Sequence, residues 1–409
     1  MTPFLCRSCG SDNIYPFLDL GLHPHSDGLL KQADEPEDVY PLKTVLCEDC
    51  TLVQITETVD PVILFANDYP YYSSFSPYLL EHSRRNVKDL IYERDLGPDN
   101  LVIEVASNDG YLLKNYVEAG VPVLGIDPAE SQVQAANKIG VTSVCEFFGR
   151  EYAETLAADG VVADVIHGNN VLAHVADTNG FVAGLATVLA DDGVVVIEAP
   201  YVRDLITHVE FDTIYHQHLC YFSATSFKNL FARHGLYLND VTWLPIHGGS
   251  LRYFASKSEG ASEDLSALLA EERSIGIGTR EYYSDFADRV VELKDNLVTL
   301  VDQLRADGSS LAAYGAAAKG ATLLNYTGIG TDVLDFVVDR NVHKIGKFMP
   351  GQRIPIREVD ALLAEQPDYV LVLAWNFIDE IANQQHEYLA RGGQFIRPVP
   401  TPEIIEASP

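Results

Sequence analysis

The segment Phe211-Asp-Thr-Ile-Tyr215-His216-Gln217-His218 gathers two imidazoles and a phenol within four residues, more than packing alone requires. An imidazole titrates near neutrality, so a single well-placed ring can take up and return a proton. A zinc site here lacks a third ligand nearby in sequence. General base catalysis is the chemistry this segment predicts, ahead of a metal site or purely structural histidines.

A second cluster is of a different kind. Cys6-Arg-Ser-Cys9 and Cys47-Glu-Asp-Cys50 form two Cys-x-x-Cys pairs, each able to offer two thiolates to one tetrahedral ion. Four thiolates close the shell of a Zn2+ ion, so the predicted metal is structural. His23 and His25 then remain loop residues. Cys145 and Cys220 have no partner at ligand spacing and are expected to be buried small side chains.

These groups must be positioned by more than one core, because 409 residues exceed the length over which a single core grows. Residues 1–65 are rich in turn formers and cysteine, too small to hold a core unaided. From about 78 to 245, helical patterns alternate with apolar, β-branched runs at Leu101-Val-Ile-Glu-Val, Val123-Leu-Gly-Ile-Asp, Val141-Thr-Ser-Val, Ala163-Asp-Val-Ile-His and Val194-Val-Val-Ile-Glu. Such alternation predicts a mostly parallel sheet covered by helices on both faces. Apolar residues at helical spacing between 262 and 307 predict a helical bridge. Leu311-Ala-Ala-Tyr-Gly, Asp335-Phe-Val-Val-Asp and Tyr369-Val-Leu-Val-Leu then read as strands of a second α/β unit.

In a doubly wound sheet the ligand sits where the first strand meets its helix. Here that loop is Glu104-Val-Ala-Ser-Asn-Asp-Gly110, followed by Tyr111, and the second strand ends at Asp127 and Pro128. Asp127 stands where a carboxylate can accept both ribose hydroxyls. Ala106 and Asn108 occupy places where a dinucleotide loop carries glycine to admit pyrophosphate. Their presence argues against a dinucleotide and suits the phosphate-free S-adenosylmethionine. Ser107 belongs to the same loop. Glu146, Phe147 and Phe148 after the third strand could hold adenine, and Asn169 and Asn170 after the fourth could hold the methionine end or the substrate.

With 59 acidic against 28 basic residues the net charge is −31, a field that repels nucleic acid and anionic lipid. No apolar run approaches the roughly 20 residues needed to span a bilayer, and the N-terminus shows no secretory pattern, so a cytoplasmic protein with neither partner is expected. An anionic ligand would need a local basic pocket, for which Lys319 and Arg252 are candidates; Arg252 could equally pair with a carboxylate.

Taken together, the motifs resemble the sugar C-methyltransferases that act on nucleotide-linked keto-deoxysugars. The resemblance covers nearly the whole chain. It rests on the paired Cys-x-x-Cys opening, Tyr71-Tyr-Ser-Ser74, Glu104-Val-Ala-Ser-Asn-Asp-Gly-Tyr-Leu-Leu113, Gly168-Asn-Asn-Val-Leu-Ala-His-Val175, the Tyr-His-x-His segment and His247-Gly-Gly-Ser-Leu-Arg252. Tyr314-Gly-Ala-Ala-Ala-Lys-Gly320, Val338-Asp-Arg-Asn341 and Met349-Pro-Gly351 extend it to the last third.

The resemblance implies a zinc-binding domain over 1–65, a Rossmann-like class I methyltransferase core over 66–250, and a C-terminal α/β domain over 251–409 that helps grip a diphosphate sugar, most often linked to thymidine. It implies His218 as the base, with Tyr215, His174 and Tyr69 lining the sugar site; Tyr72 and His216 are further candidate substrate contacts, and a monomer or small homo-oligomer is expected. Two departures stand out. The family usually has glutamate where this chain has Gln217, which can hydrogen-bond but cannot take a proton, and His23-Pro-His25-Ser-Asp-Gly-Leu is more polar than in relatives. They keep open an alternative in which the enolate is used for epimerisation or mutase chemistry without methyl transfer.

Overall fold

The computed structural model describes residues 4–66, 72–246 and 248–405. Its first sheet is antiparallel and small: β1 (Ile14–Pro24), β2 (Val39–Cys47) and β3 (Val53–Ile55). Its fourth strand comes from much later in the chain, because β3 pairs with Cys220–Tyr221. The cysteine-rich segment thus completes its sheet with residues that closely follow His218.

The central sheet contains β4 (Val102–Val105), β5 (Val123–Asp127), β6 (Ser143–Cys145), β7 (Ala163–Asn169) and β8 (Leu189–Pro200), all parallel. After β9, the Cys220–Tyr221 strand, come β10 (Tyr237–Leu244) and β11 (Ser250–Ser256). The spatial order is β10-β11-β8-β7-β4-β5-β6, with β11 inserted antiparallel against β8. The inner strands β4 and β7 are buried on both faces, as their apolar runs require. Strand order reverses at β4, which places a ligand crevice beyond the carboxyl ends of β4 and β7.

The bridge consists of helices Glu263–Ile275, Arg280–Tyr283 and Phe286–Ala306; Gly276, left-handed at φ 74°, closes the first. The last helix buries Phe286, Val290, Leu293, Leu297 and Val301, a stripe at helical spacing that packs on β1 and on helix Ala318–Thr327. A third sheet follows: β12 (Leu311–Tyr314), β13 (Val337–Asp339), β14 (Ile356–Glu358), β15 (Tyr369–Val372), β16 (Gln394–Arg397) and β17 (Glu403–Ile405). Its order is β14-β13-β12-β15-β16-β17, parallel except for β17. It therefore has its own reversal at β12. Among the described residues, no helix is long and apolar enough to cross a membrane.

Candidate active site

The carboxyl ends of both parallel sheets open into one cavity of about 1070 Å³. That exceeds what one drug-sized ligand needs, about 300–1,000 Å³. It suits two ligands side by side. Its wall takes Ala106, Asn108, Tyr111, Asp127, Pro128, Asn169 and Asn170 from the central sheet, and Tyr314, Lys319, Asp339, Arg340 and Asn376 from the third.

At the first end, the loop after β4 adopts the conformation that glycines would adopt, without the glycines. Ala106 and Asn108 sit at φ 57° and 49°, and Gly110 at 78°. Asparagine tolerates this region, whereas alanine is strained there. The loop is held by Asp127, whose Oδ2 accepts from Asn108 N at 2.9 Å and whose Oδ1 accepts from Ala129 N at 2.8 Å. Burial pushes the Asp127 carboxyl up. Glu146, Phe147 and Phe148 line the adjoining wall; Phe147 is exposed at the rim and Phe148 stands edge-on to Phe181. The Asn169 amide is buried there with no partner among the described residues. This combination of a carboxylate, an aromatic wall and a polar end fits S-adenosylmethionine.

Three residues predicted to touch the cofactor lie behind this wall instead. Ser107 is buried and packs on Gly125, where a Cβ would meet Ser107 Oγ at 2.6 Å. Gly110 packs on Val141, and an added Cβ there would lie 3.0 Å from that side chain. Glu104 is fully buried with neither oxygen partnered among the described residues; burial, then Asp127 and Asp109, pushes its carboxyl well above the usual range. They shape the loop from below.

At the middle of the cavity, Tyr215, Gln217, His218 and His174 converge. His218 Nδ1 donates to Thr213 O at 2.9 Å, which fixes Nε2 as the acceptor, and Tyr215 donates its hydroxyl to that Nε2 at 2.9 Å. The two rings stack with centroids 4.1 Å apart. His174 Nδ1 donates to Gln217 O at 2.7 Å, and its ring lies 4.8 Å from that of His218. Burial pushes His174 down to about 4, so it is neutral at pH 7. Gln217 donates Nε2 to Asp27 Oδ2 at 2.8 Å, bringing a carboxylate of the N-terminal segment onto the cavity wall. Tyr72 also lines the cavity, between Phe75 and His343. Tyr69, Tyr71 and His247 lie outside the described residues.

The segment is pinned from both sides. Ile55 N donates to Leu219 O at 3.0 Å and Leu219 N to Ala173 O at 2.7 Å. On the other side, Trp375 Nε1 donates to the buried Asp212 Oδ2 at 2.7 Å and Thr322 to Ile214 O at 3.2 Å. Burial pushes the Asp212 carboxyl up to about 7, against the pull of Lys319. Lys319 lines the cavity with its ammonium 4.3 Å from the Trp375 ring centre and bonded to Asn376. Burial pulls its pKa down, while Asp212 and Glu210 oppose that. In the third sheet Asp339 repeats the device of Asp127: it ends the second strand and accepts from Ala316 N, in the loop after the first, at 2.7 Å.

Two predicted substrate contacts are not on the cavity. Arg252, on β11, donates Nε to Glu198 Oε1 at 2.7 Å and approaches His82; of its two sequence readings, carboxylate pairing is the one present. His216 is buried against the N-terminal sheet, with Nε2 at 3.2 Å from Pro41 O and its ring edge-on to Tyr40. Alternation around Gln217 turns it away from its neighbours. Cys145 also departs from expectation, being exposed at the end of β6, whereas Cys220 is buried.

Cys6, Cys9, Cys47 and Cys50 place their four sulfurs within 4.8 Å of one another, with Cys6 to Cys50 and Cys9 to Cys47 both 3.5 Å. Tetrahedral bonds of about 2.3 Å require separations of about 3.8 Å, so the cluster fits Zn2+ and is too open for disulfides. Gln54 Nε2 donates to Cys6 Sγ at 3.1 Å, and Asn179 Nδ2 binds Arg7 O and Ser8 O at 2.8 and 3.0 Å. The zinc knuckle is thereby tied to the central unit.

Comparison with known proteins agrees with this layout. Family profiles match in series: a zinc binding domain over residues 6–65, a methyltransferase domain over 79–241 and a C-methyltransferase C-terminal domain over 245–400. C-methyltransferase NovU of Streptomyces niveus is 37% identical over 408 residues, 98% of this chain and 97% of that protein. Ubiquinone biosynthesis O-methyltransferase of Bartonella quintana (strain Toulouse) is 29% identical over 97 residues, 24% of this chain and 39% of that protein. The magnesium protoporphyrin IX methyltransferase ChlM of Synechocystis PCC 6803, solved with bound SAH, aligns with a TM-score of 0.36 at 17% identity, covering 44% of this chain and 83% of that one.

The fold and the site define a class I methyltransferase dependent on S-adenosylmethionine. More narrowly, the chain belongs to the C-methyltransferases built from a zinc-binding segment, a methyltransferase core and a dedicated C-terminal domain. This assignment decides for methyl transfer over the epimerase or mutase alternative.

Proposed function

We propose that the acceptor is a keto-deoxysugar carried on a nucleoside diphosphate, thymidine most often, and that it is methylated at the carbon beside its carbonyl. The observation that carries this reading is the Tyr215–His218 pair at the centre of a cavity shared by two doubly wound sheets. One sheet end suits the cofactor; the other offers Lys319 and the loop after β12 to a diphosphate, Lys319 being a rare cation in an acidic chain. The motif resemblance to sugar C-methyltransferases supports the substrate class.

A carbon nucleophile has to be made before it can be methylated. His218 Nε2, the acceptor nitrogen of its ring, takes the proton α to the carbonyl, and the bonding pair becomes an enolate. Tyr215, displaced from Nε2 as substrate enters, gives its hydroxyl hydrogen bond to the enolate oxygen. His174, neutral and held by Gln217 O, fixes the sugar's orientation as an acceptor. Bound S-adenosylmethionine supplies an electrophilic methyl group. The imidazolium of His218 returns its proton to solvent after the carbon–carbon bond has formed. Asp127 orients the ribose, Glu146, Phe147 and Phe148 the adenine, and Asn169 and Asn170 the methionine end.

Methyl-labelled S-adenosylmethionine and a panel of keto-sugar nucleotides test the reading. Label on a sugar carbon, located by NMR, is expected. Rearranged sugar without label, or label on oxygen, would refute it.

A further inference from the structure

Resting on that reading of the substrate, we propose that Asp27 and Gln217 form a two-acceptor clamp for a hydrogen-bond-donating substituent, hydroxyl or amino, on the sugar ring. Asp27 belongs to the N-terminal segment, yet it lines the central cavity together with Gln217, His174 and His218. The bond from Gln217 Nε2 to Asp27 Oδ2, 2.8 Å long, fixes the orientation of the amide, because only the nitrogen can donate to a carboxylate. The amide oxygen must then point elsewhere. Gln217 is 2% exposed, and its Oε1 is buried with no partner among the described residues. A buried acceptor without a donor costs stability unless a ligand supplies one.

The wall here thus carries a carboxylate and a buried amide oxygen, both acceptors, beside the proton-transferring pair. A ring carbon bearing hydrogen gives them nothing, whereas a hydroxyl or an amino group does. The clamp is a specificity device, since a site built to bond a polar substituent rejects the analogue that lacks it. It also gives the zinc-binding segment a direct part in recognition: the antiparallel sheet beside Asp27 is the one completed by β9, just after His218.

The test is a binding cycle on the full chain with S-adenosylhomocysteine bound. Calorimetry would compare wild type, Asp27→Asn and the double variant Asp27→Asn with Gln217→Glu. The ligands are thymidine-diphosphate 4-keto-6-deoxysugars carrying hydroxyl, amino or hydrogen at C2 or C3. In Asp27→Asn the side-chain carbonyl can still accept from Gln217, so the fold and the pairing persist while the charge is lost. We expect Asp27→Asn to weaken the donor-bearing sugar about ten- to a hundredfold, and its deoxygenated counterpart less than about threefold. The double variant, which returns a carboxylate to the wall, should recover most of the loss. S-adenosylhomocysteine affinity should not change. Hydroxyl and amino arms tell which donor is taken. An equal loss on every sugar, or none on any, overturns the clamp. Methyl transfer is followed in parallel with S-adenosylmethionine in place of S-adenosylhomocysteine, so its absence from wild type would refute the functional reading while the binding cycle still judges Asp27.

Discussion

Replacing Arg252 with alanine separates two roles for one of the chain's few cations. In the structure its guanidinium bonds Glu198, whose side chain is 3% exposed, from a position itself only 12% exposed. Removing one member of a buried pair costs about 3–5 kcal/mol, because the other charge is stranded. Here His82 remains, its Nε2 2.9 Å from Glu198 Oε2, so one hydrogen bond to the carboxylate is kept. A charge-assisted bond restores part of the loss, leaving about 2–4 kcal/mol of destabilisation. At roughly 2–4 °C per kcal/mol for a unit of this size, the melting temperature should fall by about 4–16 °C. The pH dependence has a definite sign. Arg252 and His82 hold the Glu198 carboxyl below its ordinary value despite burial, so its stabilisation is present above the unfolded pKa, about 4.3, and is lost as pH falls through the lower folded value. In Arg252→Ala, burial is less opposed and the folded pKa rises. The deficit should therefore be largest near pH 8 and shrink toward pH 5. Thermal unfolding at both pH values, with calorimetry on a sugar nucleotide, checks this. An unchanged melting temperature together with weakened sugar-nucleotide binding would refute the reasoning and return Arg252 to the phosphate.

Three more outcomes follow from the site. Stripping zinc with a chelator, or making Cys9→Ser, should open the sheet that β9 completes and abolish turnover, while cofactor binding by calorimetry stays within about threefold; retained turnover in zinc-free protein would contradict the link between knuckle and base. Asp127→Ala removes the acceptor for Asn108 N and with it the proposed ribose contact, and should weaken S-adenosylmethionine about ten- to a hundredfold, read by the same method; unchanged affinity would move the ribose contact elsewhere. Lys319→Met keeps an unbranched side chain beside Trp375 but loses the charge, and should raise KM for the sugar nucleotide about tenfold or more with kcat little changed; an unaltered KM would show that the diphosphate lies elsewhere.

Much of this was legible in the sequence where a local pattern carries the information. Cysteine spacing announces the metal cluster, β-branched runs announce the central strands, and the position of Asp127 after the second of them announces its place on the cavity. At the cofactor loop, Ala106 and Asn108 keep the left-handed turn in the places of the absent glycines. What escaped depends on pairing across the fold. Arg252 meets Glu198 only because β11 inserts antiparallel beside β8, and no local pattern registers that. His216 and Gln217 differ by one residue, yet one faces Pro41 and the other the cavity. Asp27 lay in a stretch already notable for its polarity, but its reach to Gln217 needed the first sheet to close on residues almost two hundred positions later. Asp212 and Trp375 carried no signal at all, being joined only by the packing of the third sheet on the 211–213 turn.

The central claim is that His218 makes the carbon nucleophile. Its most direct test is exchange of the substrate's α-proton in heavy water with S-adenosylhomocysteine bound, followed by NMR for wild type and His218→Asn. Wild type should exchange, and the variant should exchange at least about a hundredfold more slowly while binding S-adenosylmethionine with unchanged affinity. Exchange at the wild-type rate in His218→Asn would contradict the account and pass the base to another group on the cavity wall.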